Sequence, residues 1–121
     1  MDRTFAKTCA FVLALGAAAP VAAMDAISDR SDFMNTIDGR DLRIGMYGLS
    51  LVVTDDGRIV GKALGRPITG QWTWQDGFFC RDIMWGEREI PYNCQLVEAT
   101  DSRMRFTTDR GAGNSASFNL R

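Results

Sequence analysis

Short segments in which apolar and polar residues alternate dominate the chain from residue 42 onward. Leu49, Leu51 and Val53 lie on one face of such a segment, and Met104 and Phe106 lie on one face of another. Alternation with a period of two is typical of β-strands that bury one face. It predicts eight strands, at residues 42–47, 49–54, 58–64, 68–74, 78–85, 94–99, 103–108 and 115–120.

Turn residues separate the predicted strands and indicate how they connect. Asp-Gly pairs at residues 56–57 and 76–77 are strong hairpin signals, so we expect consecutive strands to run antiparallel. Residues 86–93 are the one long connection in this scheme. About eight one-sided strands in so short a chain favour a small up-and-down β-barrel, because closure removes exposed strand edges. A two-sheet β-sandwich is the alternative.

A short helix is predicted before the strands. Asp29 or Ser31 is suited to cap its first turn, because both side chains can accept a hydrogen bond from a free backbone N–H group. Phe33 and Ile37 lie on one face at helical spacing, and Gly39 is suited to end the helix. The predicted fold class is therefore all-β, with one short N-terminal helix.

The first 23 residues have the pattern of a secretory signal peptide. Arg3 and Lys7 form a basic start, residues 9–19 are apolar, and small residues lead up to Ala23. A helix that spans a membrane needs roughly 20 apolar residues, so this stretch is too short for an anchor. We expect cleavage after Ala23, a single domain at residues 24–121, and a periplasmic or secreted protein without a stable membrane anchor.

Cys80 and Cys94 are the cysteines that remain after the predicted cleavage. In a small exported domain such a pair is typical of a structural disulfide, because the compartment oxidises thiols. A structural zinc site takes four Cys or His ligands, whereas the chain contains three cysteines and no histidine. We therefore expect a Cys80–Cys94 disulfide, with no metal and no cofactor.

Composition narrows the range of functions. The chain carries 14 Lys and Arg residues against 15 Asp and Glu residues, and its basic residues form no run. Nucleic acid is therefore not an expected partner. Without histidine, no serine or cysteine nucleophile has the usual base, which argues against hydrolase triads. We expect a monomer that is not an enzyme and has no catalytic residues.

Aromatic residues are predicted both in the core of the barrel and at the long connection. Those on the inward face of the strands are expected to form the core and fill the barrel: Trp72, Trp74, Phe79, Phe106 and Phe118. Those at the long connection are expected to offer an aromatic centre with a charged rim. The candidate partner-binding residues are Trp85, Arg88, Ile90 and Tyr92.

Six short motifs are spread over most of the chain after the predicted signal peptide. They are F-x₃-I-x-G-R-x-L, D-G-x-I-x-G, T-G-x-W-x-W, F-C-R-D, N-C-Q and R-F-T-x-D-R-G-A-G, at residues 33–42, 56–61, 69–74, 79–82, 93–95 and 105–113. This layout resembles a family of small exported bacterial proteins of unknown function. The resemblance implies structural roles for the motifs, as turns, core tryptophans and a disulfide.

Some members of such families carry the label dihydrodipicolinate reductase. That enzyme is cytoplasmic, holds its cofactor with a Gly-rich turn between a strand and a helix, and uses paired histidines and a lysine. The present chain has no histidine and no alternation of strands with helices. The reductase activity is therefore the least favoured function.

Two functions fit the remaining observations. The first is a non-catalytic periplasmic domain that interacts with another periplasmic or envelope protein, as an inhibitor-like or accessory domain. The alternative is a lipocalin-like carrier, because a barrel of about eight strands is either filled by its side chains or holds one small ligand. The large aromatic residues predicted to face inward favour a filled interior and hence the first function.

Overall fold

The computed structural model describes residues 23–121. Except for Ala23, the predicted signal peptide lies outside the described residues. The described part contains one α-helix, α1 (Arg30–Ile37), and two 3₁₀ turns, at Gly45–Tyr47 and Asp109–Gly111. Its strands are β1 (Asp25–Ile27), β2 (Leu42–Ile44), β3 (Leu49–Val53), β4 (Arg58–Ala63), β5 (Arg66–Gln75), β6 (Phe78–Trp85), β7 (Arg88–Ala99), β8 (Arg103–Thr107) and β9 (Ser115–Leu120).

Strands β2 to β9 form one closed antiparallel barrel. Each strand pairs with the next along the chain, and β9 returns to β2, where Leu42 pairs with Leu120 and Arg43 with Asn119. The predicted up-and-down barrel of eight strands, preceded by a short helix, is therefore confirmed, and the sandwich alternative is excluded. The first predicted strand is shorter than expected, because the chain enters a 3₁₀ turn after Ile44.

Strand β1 is an addition that the sequence pattern did not predict. Residues 25–27 pair with residues 97–99 of β7. On the same edge of β7, the pairing with β6 extends only as far as Gln95, so β1 continues that edge where β6 ends. A three-residue strand is too short to show alternation, and its residues were assigned to the segment that leads into the helix.

The predicted long connection at residues 86–93 is wrong. Gly86 and Glu87 form a two-residue turn, and β7 begins at Arg88, directly opposite Trp85. The φ angle of Gly86 is 59°, which suits the first central position of a type II′ hairpin turn. The turn is therefore as tight as those at residues 64–65 and 76–77, and residues 88–93, predicted as part of a loop, form the first half of a long strand.

Pro91 explains why this part of β7 was mistaken for a loop. A proline cannot donate a hydrogen bond, so in sheets it is confined to edges and bulges. In this barrel Pro91 lies at a β-bulge, where the β6–β7 register shifts between Arg81 and Ile83. The bulge accommodates the missing N–H group and lets the strand continue on either side.

Helix α1 closes one end of the barrel. Phe33 and Ile37 point into the barrel and are buried. The Asp29 carboxylate caps the helix by accepting a hydrogen bond of 2.9 Å from the backbone N–H group three residues further on. Arg30 Nη2 donates to the Asp55 carbonyl at 2.5 Å, which fastens the helix to the turn between β3 and β4.

Aromatic side chains fill the barrel beneath α1. The ring of Phe33 lies 5.2 Å from those of Trp74 and Phe79 and 5.5 Å from that of Trp72. Phe79 in turn lies 5.2 Å from Phe106. Centroid distances of 4.5–7 Å are favourable for aromatic pairs. These rings, with Phe118 beyond Phe106, make this end of the barrel a packed core.

The predicted Cys80–Cys94 disulfide is present. The two cysteines are direct register partners on β6 and β7. Phe79 and Arg81, which flank Cys80, have their side chains on the inward face, so the disulfide lies on the outer face of the barrel. It fixes the register of the two strands next to the bulge.

Candidate binding site

The barrel is not filled throughout its length. A cavity of about 200 Å³ lies inside it beside the aromatic cluster. Most of its walls are apolar, and the lining side chains include Leu49, Ile68, Ile83, Ile90, Ala116 and Phe118. The expected filled interior is therefore wrong for this region. Most of the apolar side chains around the cavity are aliphatic, and Phe79, Phe106 and Phe118 are the aromatic residues of its wall.

Arg81 is a charged side chain on the wall of this cavity. It lies on the inward face of β6 and is 9% exposed. Its Nη1 atom donates to the Pro91 carbonyl at 2.6 Å, and within residues 23–121 the guanidinium makes no ion pair and no further hydrogen bond. Burial lowers the pKa of Arg81, with Asp82 opposing the shift, but a guanidinium stays protonated at neutral pH. A buried cation with unused donors thus faces an apolar cavity.

Gln95 is the second polar side chain on the wall. It is 8% exposed and lines the cavity from β7. The hydrogen bonds among the described residues include none from or to its side-chain amide. Buried amides are usually hydrogen-bonded, because leaving one without a partner costs on the order of 1–3 kcal/mol. An unpartnered amide beside an under-used guanidinium is the signature of a site for a polar group.

The β6–β7 register places the two polar side chains close together. Phe79 pairs with Gln95 and Arg81 pairs with Asn93, so Arg81 and Gln95 are diagonal neighbours on the same face. Diagonal positions are roughly 7–8 Å apart, within the reach of two long side chains. Because the disulfide joins the residues that immediately precede them, it holds both side chains in this arrangement.

The cavity reaches solvent beside β9. Ala116 lies on its wall, yet it is exposed. The β2–β9 seam is paired at two positions only, both near the C-terminal end of β9, so the strands are unpaired beside Ala116. The β8–β9 connection is fastened to β7, where Asn93 Nδ2 donates to Asp109 Oδ1 at 2.8 Å and the Asp109 N–H group donates to Asn93 Oδ1 at 2.9 Å. A small molecule therefore has a path to the interior.

The candidate partner-binding residues do not form one surface. Ile90 lines the cavity, and Trp85 packs against the core with its Nε1 donating to the Ala63 carbonyl at 2.9 Å. Arg88 is exposed at the open end of the barrel. Tyr92 lies on the outer face next to the disulfide, with its hydroxyl 3.5 Å from Cys94 Sγ. A role of these residues in protein binding stays a prediction.

Other surfaces of the described residues offer weaker sites. A groove of about 750 Å³ between α1 and β3 is larger than the cavity, but most of the side chains along it are exposed. Within residues 23–121, no three His, Cys, Asp or Glu side chains are grouped so that they could hold a metal ion. None of the helices described is both long and apolar enough to cross a membrane. The interior cavity is therefore the candidate site.

Comparisons of this chain with protein-family models, with curated proteins and with solved structures found no match.

Arg81 and Gln95 are not among the site residues that were predicted from the sequence. Both belong to the quoted F-C-R-D and N-C-Q motifs, which were interpreted as structural because each contains a cysteine. The signal that would have found them is the phase of alternation. Arg81 is in phase with Phe79 and Ile83, and Gln95 is in phase with Val97, so both polar side chains fall on the apolar face.

Proposed function

We propose that this chain is an exported, non-catalytic barrel that binds one small and mostly apolar molecule in its interior, as a lipocalin-like carrier does. The cavity of about 200 Å³ is the observation that carries the proposal. A dry cavity of about 150 Å³ lined by Leu, Ile and Phe is enough to bind benzene. Small-molecule sites are mostly apolar with a few placed polar groups, which matches this cavity with its Arg81 and Gln95.

Export is supported by two features. The first 23 residues have the pattern of a signal peptide, and the Cys80–Cys94 disulfide is of a kind that persists in oxidising compartments. In such a compartment the disulfide stays oxidised and stabilises the barrel around its cavity. The absence of histidine from the sequence supports a role in binding and not in acid–base catalysis.

Blocking the cavity tests the proposal. Ala116→Phe places a ring at the opening, whereas Ser117→Phe places the same ring on the outer face one residue further along β9. We expect calorimetry to show saturable binding of benzyl alcohol by the parent and by Ser117→Phe, and none by Ala116→Phe. Equal binding by all three proteins, or no binding by the parent, would contradict the proposal.

A second candidate function, interaction with another protein, is favoured by the apolar rim at the open end of the barrel. Met46 is 83% exposed, and Tyr47 and Leu64 are exposed beside it. The Leu64 N–H group donates to the Tyr47 carbonyl at 2.9 Å, which joins the two turns into one surface. Clustered apolar side chains on a surface mark interaction sites more often than isolated ones do.

Crosslinking in the periplasm distinguishes the rim from the residues that were predicted first. If the rim binds a protein partner, a photo-crosslinker at position 64 captures one discrete protein, and Met46→Ser weakens the capture. Arg88→Ala and Tyr92→Ala would then leave the capture unchanged. If those two substitutions weaken it and Met46→Ser does not, the binding surface is the one predicted from the sequence.

A further inference from the structure

We infer that the cavity selects a small carboxylate, whose head group is held by Arg81 and Gln95 and whose apolar body of about six to eight carbons fills the remaining space. This inference rests on the proposed function, since it names the class of molecule that the same cavity takes. It follows from the two polar side chains on an otherwise apolar wall.

The positive charge of Arg81 favours an anionic ligand. A cation buried against apolar walls is costly unless it is paired, and the single bond to the Pro91 carbonyl leaves most of its donors unused. A carboxylate that enters the cavity accepts two parallel N–H bonds from a guanidinium, a geometry that suits arginine better than any other side chain. An anionic ligand therefore restores the partner that residues 23–121 do not provide.

Gln95 supplies the second contact. Its side-chain NH₂ group is a donor, and it lies diagonal to Arg81 on the neighbouring strand. A carboxylate has two oxygens with several lone pairs, so it can accept from both side chains at once. A neutral alcohol can satisfy the amide but leaves the guanidinium without a counter-charge. A cationic ligand is repelled.

The composition of the cavity favours a carboxylate over a more highly charged anion such as a phosphate. A phosphate group carries more charge and more oxygens than a carboxylate, and each oxygen needs a partner when it is buried. The rest of the wall consists of side chains such as Ile83, Ile90 and Phe118, which offer none. Both oxygens of a carboxylate can accept hydrogen bonds from Arg81 and Gln95. The apolar body of the ligand then packs against the aliphatic wall.

Benzoate and benzyl alcohol are matched probes for this inference. They share a phenyl ring and differ in the charge of the head group. We expect calorimetry on the disulfide-bonded protein to show benzoate binding at least about 10-fold tighter than benzyl alcohol. Arg81→Met should weaken benzoate binding by about 10- to 100-fold and change benzyl alcohol binding by less than about 3-fold. Gln95→Leu should weaken benzoate binding by a smaller factor.

Arg88→Met is the control, because it removes an exposed arginine at the open end of the same barrel. Benzoate affinity should not change in this variant. If benzoate loses affinity equally in Arg88→Met and Arg81→Met, the attraction is a general charge effect and the assignment of Arg81 fails.

Two further outcomes show whether the inference falls alone or together with the proposed function. If neither probe binds, the cavity is not a binding site and both proposals fall. If both probes bind equally and Arg81→Met changes neither, the cavity binds molecules without selecting carboxylates, and only this inference falls.

Thermal unfolding tests a purely structural role of Arg81. Because Arg81→Met removes a buried charge, we expect its midpoint to equal or exceed that of the parent. A large drop together with unchanged benzoate affinity would show that Arg81 only braces the bulge at Pro91, which overturns the inference. If Arg81→Met fails to fold, Arg81→Lys takes its place, because lysine keeps the charge but lacks the planar guanidinium. We expect Arg81→Lys to bind benzoate more weakly than the parent. Unchanged benzoate affinity in Arg81→Lys would contradict the inference.

Discussion

Leu64 occupies a backbone conformation that leucine rarely adopts. It has a φ angle of 51° and precedes Gly65 in the two-residue turn between β4 and β5. Both central residues of such a type I′ turn have positive φ, which favours Asn or Asp followed by Gly. The turn between β5 and β6 has that favoured pair, with Asp76 at a φ angle of 53°. The strained leucine therefore exposes an apolar side chain where a polar one would suit the backbone better.

We predict that Leu64→Asn raises the free energy of unfolding by about 0.5–1 kcal/mol, because asparagine tolerates the left-handed region at lower cost. The reverse substitution in the matched turn, Asp76→Leu, should lower it by a similar amount. Chemical denaturation of both variants measures the difference. If Leu64→Asn lowers the stability, the exposed leucine stabilises the fold and the strain argument is wrong.

The two polar cavity residues show what a sequence can and cannot reveal at this scale. Alternation alone placed Trp72, Phe79 and Phe106 on an inward face. The same alternation places Arg81 and Gln95 there. A charged residue in phase with a buried face, however, is equally compatible with a bulge that turns it outward. Because a bulge does lie one residue beyond Arg81, the sequence could not decide its direction.

At the scale of elements, the pairing of β6 with β7 shapes the candidate site. This pair contains the disulfide, the bulge at Pro91 and both polar cavity residues. Gly70 on the neighbouring strand β5 allows a close approach, because a Cβ atom there would clash with the Asp82 carbonyl oxygen. The wall of the cavity thus includes a strand pair that a disulfide constrains, which suits a preformed site.

We predict that replacing Cys80 and Cys94 together with alanine lowers the free energy of unfolding by about 2–4 kcal/mol, because the disulfide restricts the unfolded chain. The folded double variant should also bind benzoate more weakly, since the register that positions Arg81 and Gln95 loses its covalent fastening. Denaturation and calorimetry on the same sample give both results. A stability equal to that of the parent would show that the disulfide is not a structural staple.

The predictability of the elements follows their length and regularity. Strands such as β5 and β8 have clear alternation and short polar turns, so their positions were predicted closely. Strand β1 has three residues and depends on an edge of β7 that the sequence does not reveal. The first half of β7 contains Pro91 at a bulge, which imitates a loop in sequence. Both segments are strands because they pair with strands elsewhere in the chain, and this pairing is not visible in their own sequence.

The whole molecule is a barrel with two unlike ends. At one end, α1 inserts Phe33 among Trp72, Trp74 and Phe79, and this end is sealed. Towards the other end the cavity meets solvent beside Ala116, and the rim carries exposed apolar side chains. The sequence predicted closure of the sheet from strand number and edge protection. It could not predict the empty space, because that depends on how far aromatic rings from one side of the barrel extend towards the other.

The most direct test of the account is a nuclear magnetic resonance titration of the methyl groups with benzyl alcohol. Leu49, Ile83 and Ile90 report on the cavity, and the exposed Val52 and Leu64 serve as controls. We predict saturable shifts of the cavity methyl groups while the control methyl groups stay in place. Shifts of equal size in both sets, or cavity methyl groups that do not respond at saturating probe, would contradict the claim that the interior of this barrel is a binding site.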